Sequence, residues 1–373
     1  MNTTSHIKGG HFRGGRWGVI AIVLVALVAG ACGSSKKTSK AASTTTTAAK
    51  PQVSCATGSV SGAGSTFVST LMQQWIKDYG AACPGATVNY QAVGSGAGIQ
   101  QLIAGTIDFA GSDVAMKPLE QTPAEAKLGP VLHIPWAAGA IAVEFNVSGV
   151  TSLQLTPETI AGIFAGKIAK WNAPAIKATN SGVTLPSEGI QVIHRSDGSG
   201  TTAAFTSYLT AAAGSVWTFG AAKDVPWPTG QGAKGSDGVT AAVKQTEGAI
   251  GYAELSFDKA NSLGTVKVKN AGGSFVEPSA TSVAAALAEA TIPADLKVKI
   301  NYTPTNPAAY PITTDTFVIV PQKPADPAKA KLLKSFILYA LDAGQQSAVS
   351  LYYAPLPSSL ASQAKTAAES IQA

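Results

Sequence analysis

The sequence predicts an α/β protein with mainly parallel strands, large enough for two domains. Three observations carry this expectation. Short β-branched runs alternate with helical patterns along the whole body, which is the signature of βαβ units. The 373 residues include 38 Gly and 21 Pro, with 13% charged and 45% hydrophobic, a balance that excludes disorder, collagen and coiled coil. After Cys55 no segment approaches the unbroken apolar run of about 18 residues that a membrane-spanning helix needs.

The first segment reads as an address. Lys8, Arg13 and Arg16 precede the apolar run Trp17–Val28, and the small residues Ala29, Gly30 and Ala31 stop at Cys32. This resembles a bacterial lipoprotein signal, which implies removal of residues 1–31 and lipid modification of Cys32. The alternative is an uncleaved N-terminal anchor; both place the body outside the cytoplasm. Residues 1–31 carry those three basic side chains and no acidic one, so the formal net charge falls from +6 to +3 on cleavage. With no basic stripe interleaved with aromatics in the body, a nucleic-acid partner is not expected. Residues 32–54 contain almost nothing that could be buried and read as a flexible tether.

Assigning Cys32 to lipid leaves Cys55 and Cys83 as an even pair in an oxidising compartment, and a disulfide between them is expected. Two buried free thiols are the alternative. Of the four histidines, His6 and His11 leave with the signal, and no spacing of His133 and His194 suggests a metal site.

Within the body, residues 66–79 place Phe67, Leu71 and Trp75 at spacing four, with Met72 and Ile76 beside them, and predict a helix stopped by Gly80. The runs around Val88 and Tyr90, Ile107–Ala110, Ile141–Phe145 and Ile190–His194 read as strands. Thr156 followed by Pro157 reads as an N-cap and first helical position of a helix ending near Gly166. A last helix is expected around Ala328–Ala343, before the Pro-broken tail YAPLP. No internal repeat is present. Trp75, Trp136, Trp171, Trp217 and Trp227 read as packing residues, and GAKGSDGVTAAV at 232–243 as a structural loop with Asp237 as N-cap.

Three segments share one design, a strand running into a Gly and hydroxyl loop that opens directly into a helix. They are SGAGSTF at 61–67, GSGAG at 94–98 and RSDGSGTT at 195–202. Each puts free backbone N–H groups at the positive end of a helix dipole, and the combination suits a tetrahedral oxyanion with several acceptor atoms. Nucleotide readings fail on detail. The Gly198–Ala203 run lies mid-chain behind charged Arg195 and Asp197, and no loop carries the Gly-Lys-Ser/Thr of a P-loop.

The motifs SGAGSTF, YQAVGSGAG, TIDFAGSD, IFAGKIAKWN, HRSDGSGTT, GQGAKGSDGV, EGAIGYAE and YYAPLP, in this order from about Ser59 to Pro357, resemble those of the phosphate-binding lipoproteins of ABC-type phosphate importers, the PstS family. The resemblance implies a two-lobe periplasmic-binding-protein fold of type II with a hinge and an inter-lobe cleft. Lobe 1 would comprise residues 55–146 and 311–373, and lobe 2 residues 147–310. It implies that inorganic phosphate, with no cofactor and no metal, is held by Thr66, the Phe67 backbone, Ser95, Asp113, Arg195, Ser199, Gly200 and Thr201, with Asp197 fixing the arginine. It further implies an extracytoplasmic, lipid-anchored monomer that delivers phosphate to an ABC permease and is not an enzyme.

The residues support physical roles beside that resemblance. Arg195 offers a planar fork for two oxygens of one anion, and Asp197 can pin its geometry, unless the two form an ordinary surface ion pair. Asp113 makes sense opposite an anion only if that anion carries a proton; its alternative is a helix or turn cap. Phosphate near neutrality has such a proton and sulfate has none, and sites built on a required hydrogen bond reject the analogue lacking it by roughly 10⁴ to 10⁵. Two other functions compete. One is a binder of sulfate or molybdate. The other is a hydrolase using Ser199 as nucleophile with His133 or His194 as base, and Asp197 or Asp113 as orienter.

Overall fold

The computed structural model describes residues 53–373. The expected export segment, Cys32 and all but the last two residues of the expected tether lie outside the described residues.

Strand β1 (Gly58–Gly64) leads into helix α1 (Ser69–Ala82), strand β2 (Ala86–Ala92), helix α2 (Ser95–Ala104), strand β3 (Phe109–Ser112) and helix α3 (Pro118–Leu128). β1 pairs in parallel with both β2 and β3, as a right-wound βαβ series requires. α1 buries Leu71, Met72, Trp75 and Tyr79 and continues through Gly80 to Ala82. A helical glycine costs only about 1 kcal/mol relative to alanine, which that apolar face offsets, so the stop expected at Gly80 does not occur. Cys83 caps the helix instead, and its sulfur is bonded to that of Cys55.

The long strand β4 (Val131–Asn146) joins two regions of one curled sheet. Residues 131–140 pair with β11 (Thr313–Pro321), and residues 141–146 pair with β8 (Ala249–Glu254). On the far side of β4 follow β5 (Leu153–Leu155), α4 (Pro157–Phe164), α5 (Pro174–Lys177), β6 (Gln191–Arg195), α6 (Gly200–Ala213), β7 (Gln231–Ala233), α7 (Gly235–Gln245), β8 and α8 (Leu255–Asn261). β9 (Gly264–Lys269), β10 (Phe275–Val276) and α9 (Ala280–Leu287) complete that side. The chain then returns through β11, α10 (Pro327–Leu341) and α11 (Ser358–Glu369). The strand order is β2-β1-β3-β11-β4-β8-β6-β7.

The sheet is mixed rather than mainly parallel: β1 pairs in parallel with β2 and β3, β5 with β9, and β6 with β7 and β8. β4 and β11 run antiparallel to their neighbours. Local signals held closely. Thr156 caps α4 by accepting from Thr159 N, with Pro157 following it, and the helix ends at Phe164, two residues before Gly166. α10 starts at Pro327 behind the capping side chain of Asp326. The core runs through both regions and includes Trp75, Trp136, Trp171 and Trp217, while Trp227 is half-buried and stacks on His194 at 4.8 Å. Among the described residues no helix is long and apolar enough to cross a membrane.

Candidate functional site

The site is assembled from loops that each end a strand and begin a helix. Gly64 closes β1 at φ 145°, and Ser65, Thr66 and Phe67 lead into α1. Phe67 N donates to Ser65 Oγ at 3.0 Å, and Tyr353 Oη, from the tail, donates to Phe67 O at 2.6 Å. Gly94 precedes Ser95 at the start of α2 in the left-hand half of backbone space, with φ 94°. A Cβ there would lie 2.3 Å from Asp197 Oδ2, so only glycine fits both the conformation and the contact. β6 delivers Arg195, and Ser199 caps α6 by accepting from Thr202 N at 3.0 Å.

These loops meet. Gly96 N donates to Gly198 O at 2.8 Å, linking the start of α2 to the loop before α6. A Cβ on Gly200 would sit 2.5 Å from Ser95 Oγ and 2.9 Å from Asp113 Cβ, so the α6 start abuts both. A fourth helix start joins them that the sequence reading left as a structural loop. Ser236 N donates to Thr66 Oγ1 at 3.1 Å, the two hydroxyls pair at 3.0 Å, and Gly235 N donates to Asp197 Oδ1 at 3.0 Å. Asp237, expected as the N-cap, lies in the first turn of α7, behind Lys234 at the cap position. Four amide-lined helix starts therefore converge on one place.

Two charged side chains organise that place. Arg195, 3% exposed, donates from Nε to Asp197 Oδ1 at 2.7 Å and from Nη2 to Asp197 Oδ2 at 2.5 Å. Asp197 thus takes one edge of the guanidinium and leaves Nη1 free of this pairing. Burial pushes the Asp197 carboxyl up, but the Arg195 hydrogen bonds and charge outweigh it and hold the group below the usual range. Asp113, 2% exposed, collects hydroxyls from three elements: Ser65 Oγ at 2.5 Å and Thr316 Oγ1 at 3.0 Å on Oδ1, and Thr201 Oγ1 at 3.1 Å on Oδ2. Burial raises its pKa, only partly countered by the Ser65 and Thr316 hydrogen bonds, the Arg195 charge and Thr201.

All the residues expected around the anion, Thr66, Phe67, Ser95, Asp113, Arg195, Ser199, Gly200 and Thr201, lie on these converging loops. Ser65, Thr316 and Ser236 were missed. Ser65 stood inside a quoted motif but has no signal separate from Thr66. Thr316 lies in a β-branched strand pattern 203 residues from Asp113, and only strand pairing brings it near.

Among the described residues no hydrogen bond joins Ser199 to His133 or His194. His133 Nε2 accepts from Met116 N at 3.1 Å, and burial lowers its pKa to about 4. His194 Nδ1 faces Arg195 O at 3.0 Å. Ser199 Oγ is engaged by Thr202 N. Among the described residues no group of three or more His, Cys, Asp or Glu is arranged to hold a metal ion.

A curled α/β sheet with four helix starts meeting at one place is the architecture of the periplasmic binding proteins, and residues 41–343 match the PBP superfamily domain. Within that class the chain belongs to the PstS family. It is 40% identical over 311 residues to Phosphate-binding protein PstS of Xylella fastidiosa, covering 82% of this chain and 83% of that one. Over 366 residues it is 39% identical to Phosphate-binding protein PstS 3 of Mycobacterium tuberculosis H37Rv, covering 95% and 99%. The solved structure of the phosphate binding protein from Stenotrophomonas maltophilia matches with a TM-score of 0.65 at 21% identity, over 83% of this chain and 93% of that one, a likeness of fold.

Proposed function

We propose that this protein is an extracytoplasmic solute-binding lipoprotein that captures inorganic phosphate between two lobes and hands it to an ABC-type permease, without catalysis. Family membership supports the ligand, the transporter partnership and the compartment. The lobes are assigned as 55–146 with 311–373, and 147–310. The change of partner strand inside β4, between Ala140 and Ile141, supports a crossing near the first of these boundaries. Lipid attachment at Cys32 and a monomeric state complete the proposal.

The observation that carries it is the placing of Asp113 and Arg195 together at four helix starts. Arg195, held by Asp197, offers its remaining donors to the anion. The amides of Gly200 and Thr201 open α6, and Thr66, Phe67 and Ser95 contribute from the starts of α1 and α2, where the first N–H groups have no partner inside the helix. Ser199 Oγ accepts from Thr202 N and keeps its own hydrogen to donate. Asp113 shares one proton with a phosphate oxygen. Sulfate brings no proton, so its complex with ionised Asp113 would bury an acceptor against a like charge.

Calorimetric titration with phosphate, followed by competition with excess sulfate, tests the reading. Tight phosphate binding unaffected by sulfate is the expected result; equal binding of both would replace it with a general oxyanion binder, and turnover of a phosphoester would replace it with an enzyme.

A further inference from the structure

The loop that carries the ligand donors of α6 is tied to the opposite lobe by a bridge outside the site itself. Ser199 N donates to Lys223 O at 2.9 Å, so the backbone of Lys223 supports the cap of α6. The Lys223 ammonium reaches across the cleft to Glu120 Oε1 in the first turn of α3, and both side chains are largely buried, 13% and 16% exposed. Glu120 Oε2 accepts from Lys117 N at 3.0 Å, so its carboxylate is also fastened to the start of its own helix. α3 begins five residues after Asp113. One end of the bridge is thus anchored beside Asp113 and the other beside Ser199. Next to it, Lys297 Nζ donates to Gln121 Oε1 at 2.8 Å, a second contact from the far lobe onto the same helical turn.

We infer that Lys223 and Glu120 are positioning residues forming a closure latch: a charge pair that exists only when the lobes are shut and that sets how slowly the anion leaves. This rests on the phosphate reading for its ligand. A long basic side chain pairing with a fastened carboxylate loses less freedom than a free surface pair, and its partial burial limits screening by salt. Opening the lobes separates the pair by moving two rigid bodies. The cost therefore falls on dissociation and not on first encounter with the ligand.

Stopped-flow measurement of phosphate association and dissociation on the full chain tests this with Lys223→Met, Glu120→Gln and the double variant. Each single variant is expected to release phosphate about tenfold faster with association changed less than about twofold, and the double variant no faster than either single. The charge-reversed pair Lys223→Glu with Glu120→Lys should recover slow release, which a purely structural role for either residue would not allow. Dissociation at the wild-type rate in both single variants, or effects that multiply in the double variant, overturns the latch. Small-angle scattering with and without phosphate provides a second arm: wild type should compact on binding and both single variants should compact less at saturating phosphate, and equal compaction in all three would count against the latch. If wild type binds no phosphate, the ligand reading fails, and the same kinetic and scattering arms run with sulfate as the anion then decide the latch. Thermal unfolding identifies any variant that fails to fold, and Lys223→Arg then replaces Lys223→Met, with slow release expected to be retained.

Discussion

Thr201 Oγ1 donates to Asp113 Oδ2 at 3.1 Å, and this bond joins the first turn of α6 to the carboxylate that follows β3. On the proposed reading, in which Asp113 meets the ligand's proton, the same carboxylate would also sense closure of the two lobes. The remaining oxygen of Asp113 is taken by Ser65 and Thr316, which orient it.

Replacing Asp113 by Asn should weaken phosphate binding and relax the exclusion of sulfate, because the amide can donate to an unprotonated oxygen. Competition calorimetry reads both. Selectivity unchanged from wild type would remove the proton-sharing argument.

Selectivity should also depend on pH. Burial raises the pKa of Asp113, so acidification protonates it earlier than an ordinary aspartate. Once protonated it can donate to sulfate, and sulfate competition is expected to strengthen as pH falls, in wild type but not in Asp113→Asn. A titration series in acetate and neutral buffers measures this.

Arg195→Ala should abolish measurable phosphate binding, since it removes the fork and leaves Asp197 without its partner beside the anion. Asp197→Asn should lower affinity more modestly, by about tenfold, through loss of the charged half of a bidentate pair. Equal affinities in Arg195→Ala and wild type would show that the helix starts alone hold the ligand.

Glu254 lies at the end of β8, fully buried. Burial lifts its pKa from 4.5 to about 8 against the opposing hydrogen bonds from Ser256. Between those two values the unfolded chain has lost the proton and the folded chain retains it, so stability is greatest below the lower value. It declines by roughly 1.4 kcal/mol per pH unit as pH rises towards the upper one. Glu254→Gln should flatten that decline in denaturant unfolding measured from pH 5 to 8. A slope equal to wild type would assign the pH dependence elsewhere.

The Cys55–Cys83 bond closes a span of 28 residues around β1 and α1. Replacing both cysteines by serine should cost roughly 3 to 4 kcal/mol of stability by the chain-entropy argument, while phosphate affinity stays within about twofold, because neither sulfur touches the converging loops. Unfolding curves and calorimetry on the same sample separate the two effects.

Local chemistry made much of this legible. A cap such as Thr156 before Pro157, or a glycine loop opening a helix, depends on a few neighbouring residues. Three of the four helix starts at the site, and the alternation of strands and helices, could therefore be read directly. Gly80 misled for the same reason: a local stop signal was outweighed by the buried face of α1. Ser236 and Thr316 carried no readable signal. A serine at a helix start and a threonine in a strand are ordinary by themselves, and they matter only because α7 meets Thr66 and β11 pairs beside β3.

From the order of its residues alone came the α/β character, the paired cysteines, the glycine-lined helix starts and the chemistry that an arginine and a misplaced-looking aspartate offer a protonated anion. Folding decided which of these meet. β4 runs antiparallel to β11 in one half of the sheet and to β8 in the other, and the pairing brings together groups more than a hundred residues apart, which no sequence spacing encodes. The latch between Lys223 and Glu120 belongs to this second kind, because a contact across a cleft follows from how two bodies close and not from either body's local pattern.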